Sequence, residues 1–198
     1  MRVIRMGADA LLLEVDDPGA WYAELAGRRD RGELVATEIV PGAVTVLLDG
    51  VADAAGTARR IPGWAPSGSP GAVGGGLVEI PMGYGGDDLD DVAGFWGTTA
   101  DGVVDILRRT EFRVAFCGFA PGFAYLTGLP DGLAVPRLPS PRTRVPAGSL
   151  GLAGPYAGIY PTASPGGWRL VGRTDARLFD VDRRPPALLV PGTRVRFP

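Results

Sequence analysis

Apolar positions in the first sixty residues change period several times. Val3 to Met6 and Ala10 to Val15 are short aliphatic runs separated by Gly7-Ala8-Asp9, and they predict two strands joined by a turn. Pro18 to Arg29 shifts to helical spacing, with proline near its start and Asp16 or Asp17 placed to cap it. Leu34 to Val40 and Val44 to Leu48 predict a hairpin across Pro41-Gly42, and Val51 to Arg60 a second, weaker helix. Strands interleaved with helices predict a small two-layer α+β domain of the ferredoxin-like kind over residues 1–75.

Ala65 to Gly76, APSGSPGAVGGG, carries no charge and little bulk, and is expected to be a linker within residues 65–76. Beyond it, Leu77 to Met82 predicts a strand, and Asp88 to Trp96 and Ala100 to Arg109 two short helices, the first with acids at its N-terminus. From Phe112 the helical period disappears. Short apolar runs (Val114 to Phe116, Gly151 to Ala153, Trp168 to Val171, Leu188 to Val190, Val195 to Phe197) alternate with Gly/Pro turns. That pattern predicts a second, mainly-β domain over residues 76–198, a closed barrel or sandwich.

Composition narrows the chemistry. The chain has 198 residues and a net charge of −2. Its 20 basic residues are all arginines and are mixed with acids, not gathered into a stripe, which argues against nucleic acid as the main partner. Apolar runs such as Ala10 to Leu13 are too short to cross a bilayer, the N-terminus has no secretory pattern, and Cys117 is a single cysteine; the expectation is a cytoplasmic protein. There is no Lys, His, Asn or Gln. A His-based triad, a Cys/His zinc site, a lysine Schiff base and a Walker loop are therefore all excluded within this chain. Only Asp, Glu, Tyr, Cys, Ser, Thr, Arg and backbone groups remain, and any catalysis is expected to be shared with a partner.

Three segments carry candidate chemistry. In Cys117 to Pro130, two Gly-Phe steps flank Pro121; Gly122 permits close backbone approach, and Phe119, Phe123 and Tyr125 are placed to form an aromatic wall. The other reading is a loop packed on its own barrel mouth. Arg137, then Arg142 and Arg144 within Pro141 to Ser149, sit among prolines that keep the backbone extended. Their guanidinium forks suit a small anionic ligand, whereas an exposed edge paired with surface acids would need no ligand at all. Gly158 to Arg173 supplies Tyr160, the Gly166-Gly167 pair and Trp168, either an oxyanion-binding turn or a hairpin over a core tryptophan. Cys117 is expected to be buried and inert. The acids Asp87, Asp88, Asp90 and Asp91 lack calcium-loop spacing and read as helix N-terminal charges, so no metal site is expected.

In order, VEIPMGYGG (Val78 to Gly86), EFRVAFCGFAPGFAYLTGLP (Glu111 to Pro130), AVPRLPSPRTRVPAGSLGLAG (Ala134 to Gly154), GIYPTASPGGWRLVGRT (Gly158 to Thr174) and PGTRVRF (Pro191 to Phe197) resemble the allophanate hydrolase subunit 1 family, also called the carboxyltransferase subdomain C/D family. The resemblance implies a ferredoxin-like domain followed by a cyclophilin-like β-barrel. It also implies a subunit of a heteromeric, ATP-dependent hydrolase of the 5-oxoprolinase type, inactive alone. Its partners would be a subunit 2-type cyclophilin-like protein and a third lactam-utilisation protein, with ATP as co-substrate. Substrate would then contact Gly122, Phe123, Tyr125, Arg137, Arg142, Arg144, Ser149, Tyr160, Gly166, Gly167 and Trp168. The alternative within the family is a non-enzymatic protein that inhibits a histidine kinase. Where family members often carry a His, this chain has Leu107.

Overall fold

The computed structural model describes residues 1–66 and 76–198, so most of the expected linker lies outside the described residues. The chain divides into two compact units, Met1–Gly74 and Gly75–Pro198.

The first unit runs β1 (Arg2–Met6), β2 (Ala10–Glu14), α1 (Pro18–Asp30), β3 (Glu38–Pro41), β4 (Thr45–Asp49) and α2 (Ala54–Arg60). Its antiparallel sheet has the order β1-β2-β4-β3. Period-2 alternation sends Leu11, Leu13, Val46, Leu48 and Ile39 to one face, where Trp21 and Leu25 of α1 and Ala54 of α2 cover them. Asp17 caps α1 by accepting from the Ala20 N–H, and Asp53 caps α2 by accepting from the Gly56 N–H at 2.8 Å. The two-layer α+β arrangement is present, but the element order departs from the expected ferredoxin-like unit. A turn at Gly7, not a helix, joins the first two strands, giving β-β-α-β-β-α in place of β-α-β-β-α-β. The expected strand from Leu34 starts only at Glu38, because the Glu33 and Leu34 N–H groups turn back onto the Arg28 carbonyl and close α1.

The second unit opens with β5 (Leu77–Glu79), β6 (Gly83–Tyr84), α3 (Leu89–Trp96) and α4 (Ala100–Arg109). Strands β7 (Phe112–Cys117), β8 (Ala124–Thr127), β9 (Arg142–Val145), β10 (Ser149–Ala153), β11 (Tyr156–Ile159), β12 (Ser164–Gly166), β13 (Arg169–Arg173) and β14 (Arg194–Arg196) follow. Eight strands form one sheet in the order β5-β14-β7-β8-β11-β10-β13-β6, and β12 pairs with β9 as a separate ribbon. The sheet curls into a half-barrel and not the expected closed barrel. Its edge strands β5 and β6 pair parallel with β14 and antiparallel with β13, while the Tyr84 hydroxyl donates to the Phe197 carbonyl at 3.0 Å to bridge the opening. Leu188 to Val190, expected as a strand, is irregular: the Leu188 N–H donates to the Leu178 carbonyl, and no ladder forms.

Both faces of this sheet are covered, which is why every residue of β10 is buried. Leu150 and Leu152 join Val92 and Ala93 of α3, Val103 and Leu107 of α4, and Phe112, Val114 and Phe197 in one core. Leu107, at the position where the family often has His, is fully buried in that core. On the opposite face, a Cβ at Gly151 would lie 2.9 Å from the Trp168 Cβ, so only glycine lets the Trp168 side chain pack there. There Phe123, Val145, Ala153, Tyr160, Trp168 and Leu170 form a second, aromatic core, and the candidate site sits on it.

Candidate functional site

The loop between β7 and β8 is tightly folded. Gly118 N–H donates to Phe123 O, Ala120 N–H to Gly118 O at 2.8 Å, and Phe123 N–H to Ala120 O. The Gly118–Ala120 bond closes a three-residue turn centred on Phe119, whose φ is +69°, the less common and strained form of such a turn. A non-glycine residue held there costs on the order of 1–3 kcal/mol. The strain raises Phe119 to the surface, 62% exposed, with its ring edge-on to Phe123 at 5.3 Å and to Tyr160 at 6.2 Å.

Below it Phe123 meets Tyr125, Tyr160 and Trp168, all edge-to-face with centroids 5.1–5.4 Å apart. Each such pair contributes about 0.5–1.5 kcal/mol beyond the area it buries. These rings, with Arg137, Pro165, Gly166 and Gly167, enclose a pocket of about 90 Å³. Gly166 is obligatory here: a Cβ would fall 2.3 Å from the Tyr160 phenol oxygen. Burial holds the Tyr160 phenol above the ordinary tyrosine range, although the Trp168 backbone and the charges of Arg137 and Arg142 pull the other way. The phenol therefore stays protonated at neutral pH and is available as a donor. Arg137 is exposed at the rim and has no acidic partner among the described residues.

Two ion pairs brace the pocket from behind. Asp88 is 4% exposed and does not cap its own helix. Its Oδ1 accepts from Arg142 Nη2 at 2.8 Å and its Oδ2 from the Leu170 N–H at 2.7 Å, while Arg142 Nη1 donates to the Trp168 carbonyl at 3.5 Å. Donating to Asp88 raises the Arg142 pKa above its ordinary value. One helical turn later Asp91 pairs with Arg169, whose Nε donates to the Pro136 carbonyl, next to Arg137. The first turn of α3 thus fixes both Trp168 and the base of Arg137 through charge-assisted bonds.

Of the residues singled out from sequence, Phe119, Phe123, Tyr125, Arg137, Tyr160, Gly166, Gly167 and Trp168 come together in this pocket. The others lie elsewhere. Gly122, φ +85°, faces the 178–179 segment, where its missing Cβ would sit 2.7 Å from Phe179 Cβ. Arg142 is committed to Asp88. Arg144 is exposed on β9 away from the pocket lining, and Ser149 lines a different cavity. Cys117 lies outside both cavities; burial pushes its thiol up to about 11, and its Sγ contacts the Leu189 carbonyl. Sequence reasoning missed Pro165, Asp88, Asp91 and Arg169. For the acids the only signal was their place at a helix start, where a local electrostatic role accounts for them without any distant partner. Among the described residues no group of three or more His, Cys, Asp or Glu could hold a metal ion. No helix among them is long and apolar enough to cross a membrane.

Comparison with known proteins gives this architecture its relatives. The model of the carboxyltransferase domain, subdomain C and D, matches residues 1–189. The chain belongs to that family. The 5-oxoprolinase B subunit of Escherichia coli O157:H7 is 49% identical over 124 residues, 61% of this chain and 57% of the relative. Its namesake from Bacillus subtilis (strain 168) is 45% identical over 124 residues, 61% of this chain and 52% of that protein. The chain thus spans a little over half the length of these curated relatives. Among solved structures, the Kluyveromyces lactis urea carboxylase covers 99% of this chain with 21% of its own, at 19% identity and a TM-score of 0.65, a likeness of fold. The aromatic pocket lies on the face of the curled sheet opposite the one that packs against α3 and α4.

Proposed function

We propose that this carboxyltransferase C/D chain is a subunit of a 5-oxoprolinase-type complex that opens a small cyclic amide with ATP. One observation carries the assignment: Arg137, a guanidinium with no acidic partner among the described residues, and Tyr160, a protonated phenol, meet in one aromatic pocket beside Gly166-Gly167. In this scheme Arg137 binds the substrate carboxylate, Tyr160 donates to a carbonyl oxygen, and the faces of Tyr125 and Trp168 flank the ring. The names of the relatives support the substrate class.

The pocket's volume of about 90 Å³ supports half a site, since complete small-molecule pockets run to about 300–1,000 Å³. A subunit 2-type cyclophilin-like partner supplies the remaining wall. With no His or Lys in the chain, the general base and the ATP-binding groups come from that partner and from a third lactam-utilisation protein. The strained, exposed Phe119 stands at the rim where such a partner would seat. The test is reconstitution: the chain with both partner proteins, 5-oxoproline and ATP should release glutamate, and the chain alone should not. Absence of glutamate from the full set refutes the assignment.

A further inference from the structure

A second cavity, of about 230 Å³, lies where β6 runs into α3 beside the start of β10 and the end of β13. It shares no lining residue with the aromatic pocket. Glycine keeps it open. A Cβ at Gly86 would lie 2.4 Å from the Leu170 carbonyl oxygen and one at Gly172 would lie 2.9 Å from the Gly83 carbonyl oxygen, so neither position admits a side chain.

Three polar groups line this space. Ser149 is 5% exposed, and its hydroxyl makes no hydrogen bond to the described residues. That hydroxyl is free to donate to or accept from a bound ligand. Arg173 and Asp87 are exposed charges of opposite sign on the same cavity, yet they do not pair with each other or with any other side chain among the described residues. The adjacent Arg142 is already neutralised by Asp88. A purely anionic ligand would face Asp87, and a purely cationic one would face Arg173. A ligand carrying both signs satisfies both charges at once.

We propose that this cavity binds a small zwitterionic α-amino acid, its carboxylate on Arg173 and the Ser149 hydroxyl, its ammonium on Asp87. The site is independent of the 5-oxoproline assignment, because binding is read on this chain alone and without turnover. Calorimetric titration of the full chain with glycine, L-glutamate, acetate, methylammonium, inorganic phosphate and 5-oxoproline provides the test. Glycine or L-glutamate should bind, with Arg173→Gln and Asp87→Asn each weakening it about tenfold, and the half-ligands acetate and methylammonium should bind about tenfold more weakly still. Both substitutions are at exposed positions, so unchanged thermal midpoints separate lost binding from lost folding. The proposal is overturned if no amino acid binds at millimolar concentration, or if 5-oxoproline, which lacks an ammonium, binds as tightly as glutamate and loses that binding with Arg173→Gln. It is equally overturned if phosphate binds and Asp87→Asn tightens it, since the cavity would then be a simple anion site.

Discussion

Asp88 binds Arg142 across 54 residues of chain at 2.8 Å, with its other oxygen on the Leu170 N–H. This one carboxylate joins the start of α3 to β9 and to β13, and through Arg142 it reaches the Trp168 carbonyl at the back of the aromatic pocket. Removing it leaves the Arg142 guanidinium with only its long contact to the Trp168 carbonyl, and the Leu170 N–H without an acceptor. Asp88→Ala should therefore destabilise the second unit by roughly 3 kcal/mol, visible as a lower urea midpoint. Asp88→Asn, which keeps one acceptor, should cost clearly less. Equal losses for the two variants would deny the carboxylate this role.

Two neighbouring glycines should respond oppositely to alanine. At Gly166 the new methyl would lie 2.3 Å from the Tyr160 oxygen, whereas at Gly167 the nearest heavy atom is Pro141 Cβ at 3.6 Å. Gly166→Ala should displace the phenol, lower stability by about 1–3 kcal/mol and abolish ligand binding in the pocket. Gly167→Ala should stay within about 0.5 kcal/mol of wild type. Thermal denaturation of the pair is enough to check this.

Phe119 trades backbone strain for a position at the pocket rim. Phe119→Gly removes the positive-φ penalty along with the ring's contacts to Phe123 and Tyr160. Its stability should accordingly change by less than about 1 kcal/mol, while turnover in the reconstituted complex falls. A large loss of stability would show that the ring is an ordinary packing group.

The Cys117 thiol is raised from 9.0 to about 11 by burial. Between those values the folded chain holds a proton that the unfolded chain has released. Its contribution to stability is therefore complete below pH 9 and lost as pH rises towards 11. Native Cys117 should be alkylated slowly at pH 8 and rapidly in denaturant, measured by mass spectrometry. Rapid labelling of the native chain would contradict the partly buried, protonated thiol.

What the sequence revealed depended on how local each cause was. Helix α4 carries its own Thr99 cap and an apolar stripe through Val103 and Leu107, so its periodicity placed it. The aromatic pocket was legible because its residues cluster in three Gly/Pro-rich segments that also carry the family resemblance. Asp88 was not legible, since an acid at a helix start already has a local reason to be there and its partner Arg142 is remote in sequence. Gly122 was misplaced for a related reason: its positive φ was foreseeable, but the close approach of Phe179 that requires it is a tertiary fact. The open edge between β5 and β6 and the turn joining β1 to β2 likewise follow from strand pairing, which short apolar runs do not encode.

A substrate site in the aromatic pocket is tested most directly by the kcat/KM of the reconstituted complex for 5-oxoproline, with this chain as wild type or as Arg137→Gln. A guanidinium that binds the substrate carboxylate contributes about 1.5–3 kcal/mol, so kcat/KM should fall by about 10- to 150-fold while the thermal midpoint of the exposed variant stays unchanged. Wild-type turnover in the Arg137→Gln complex would contradict a substrate site in that pocket.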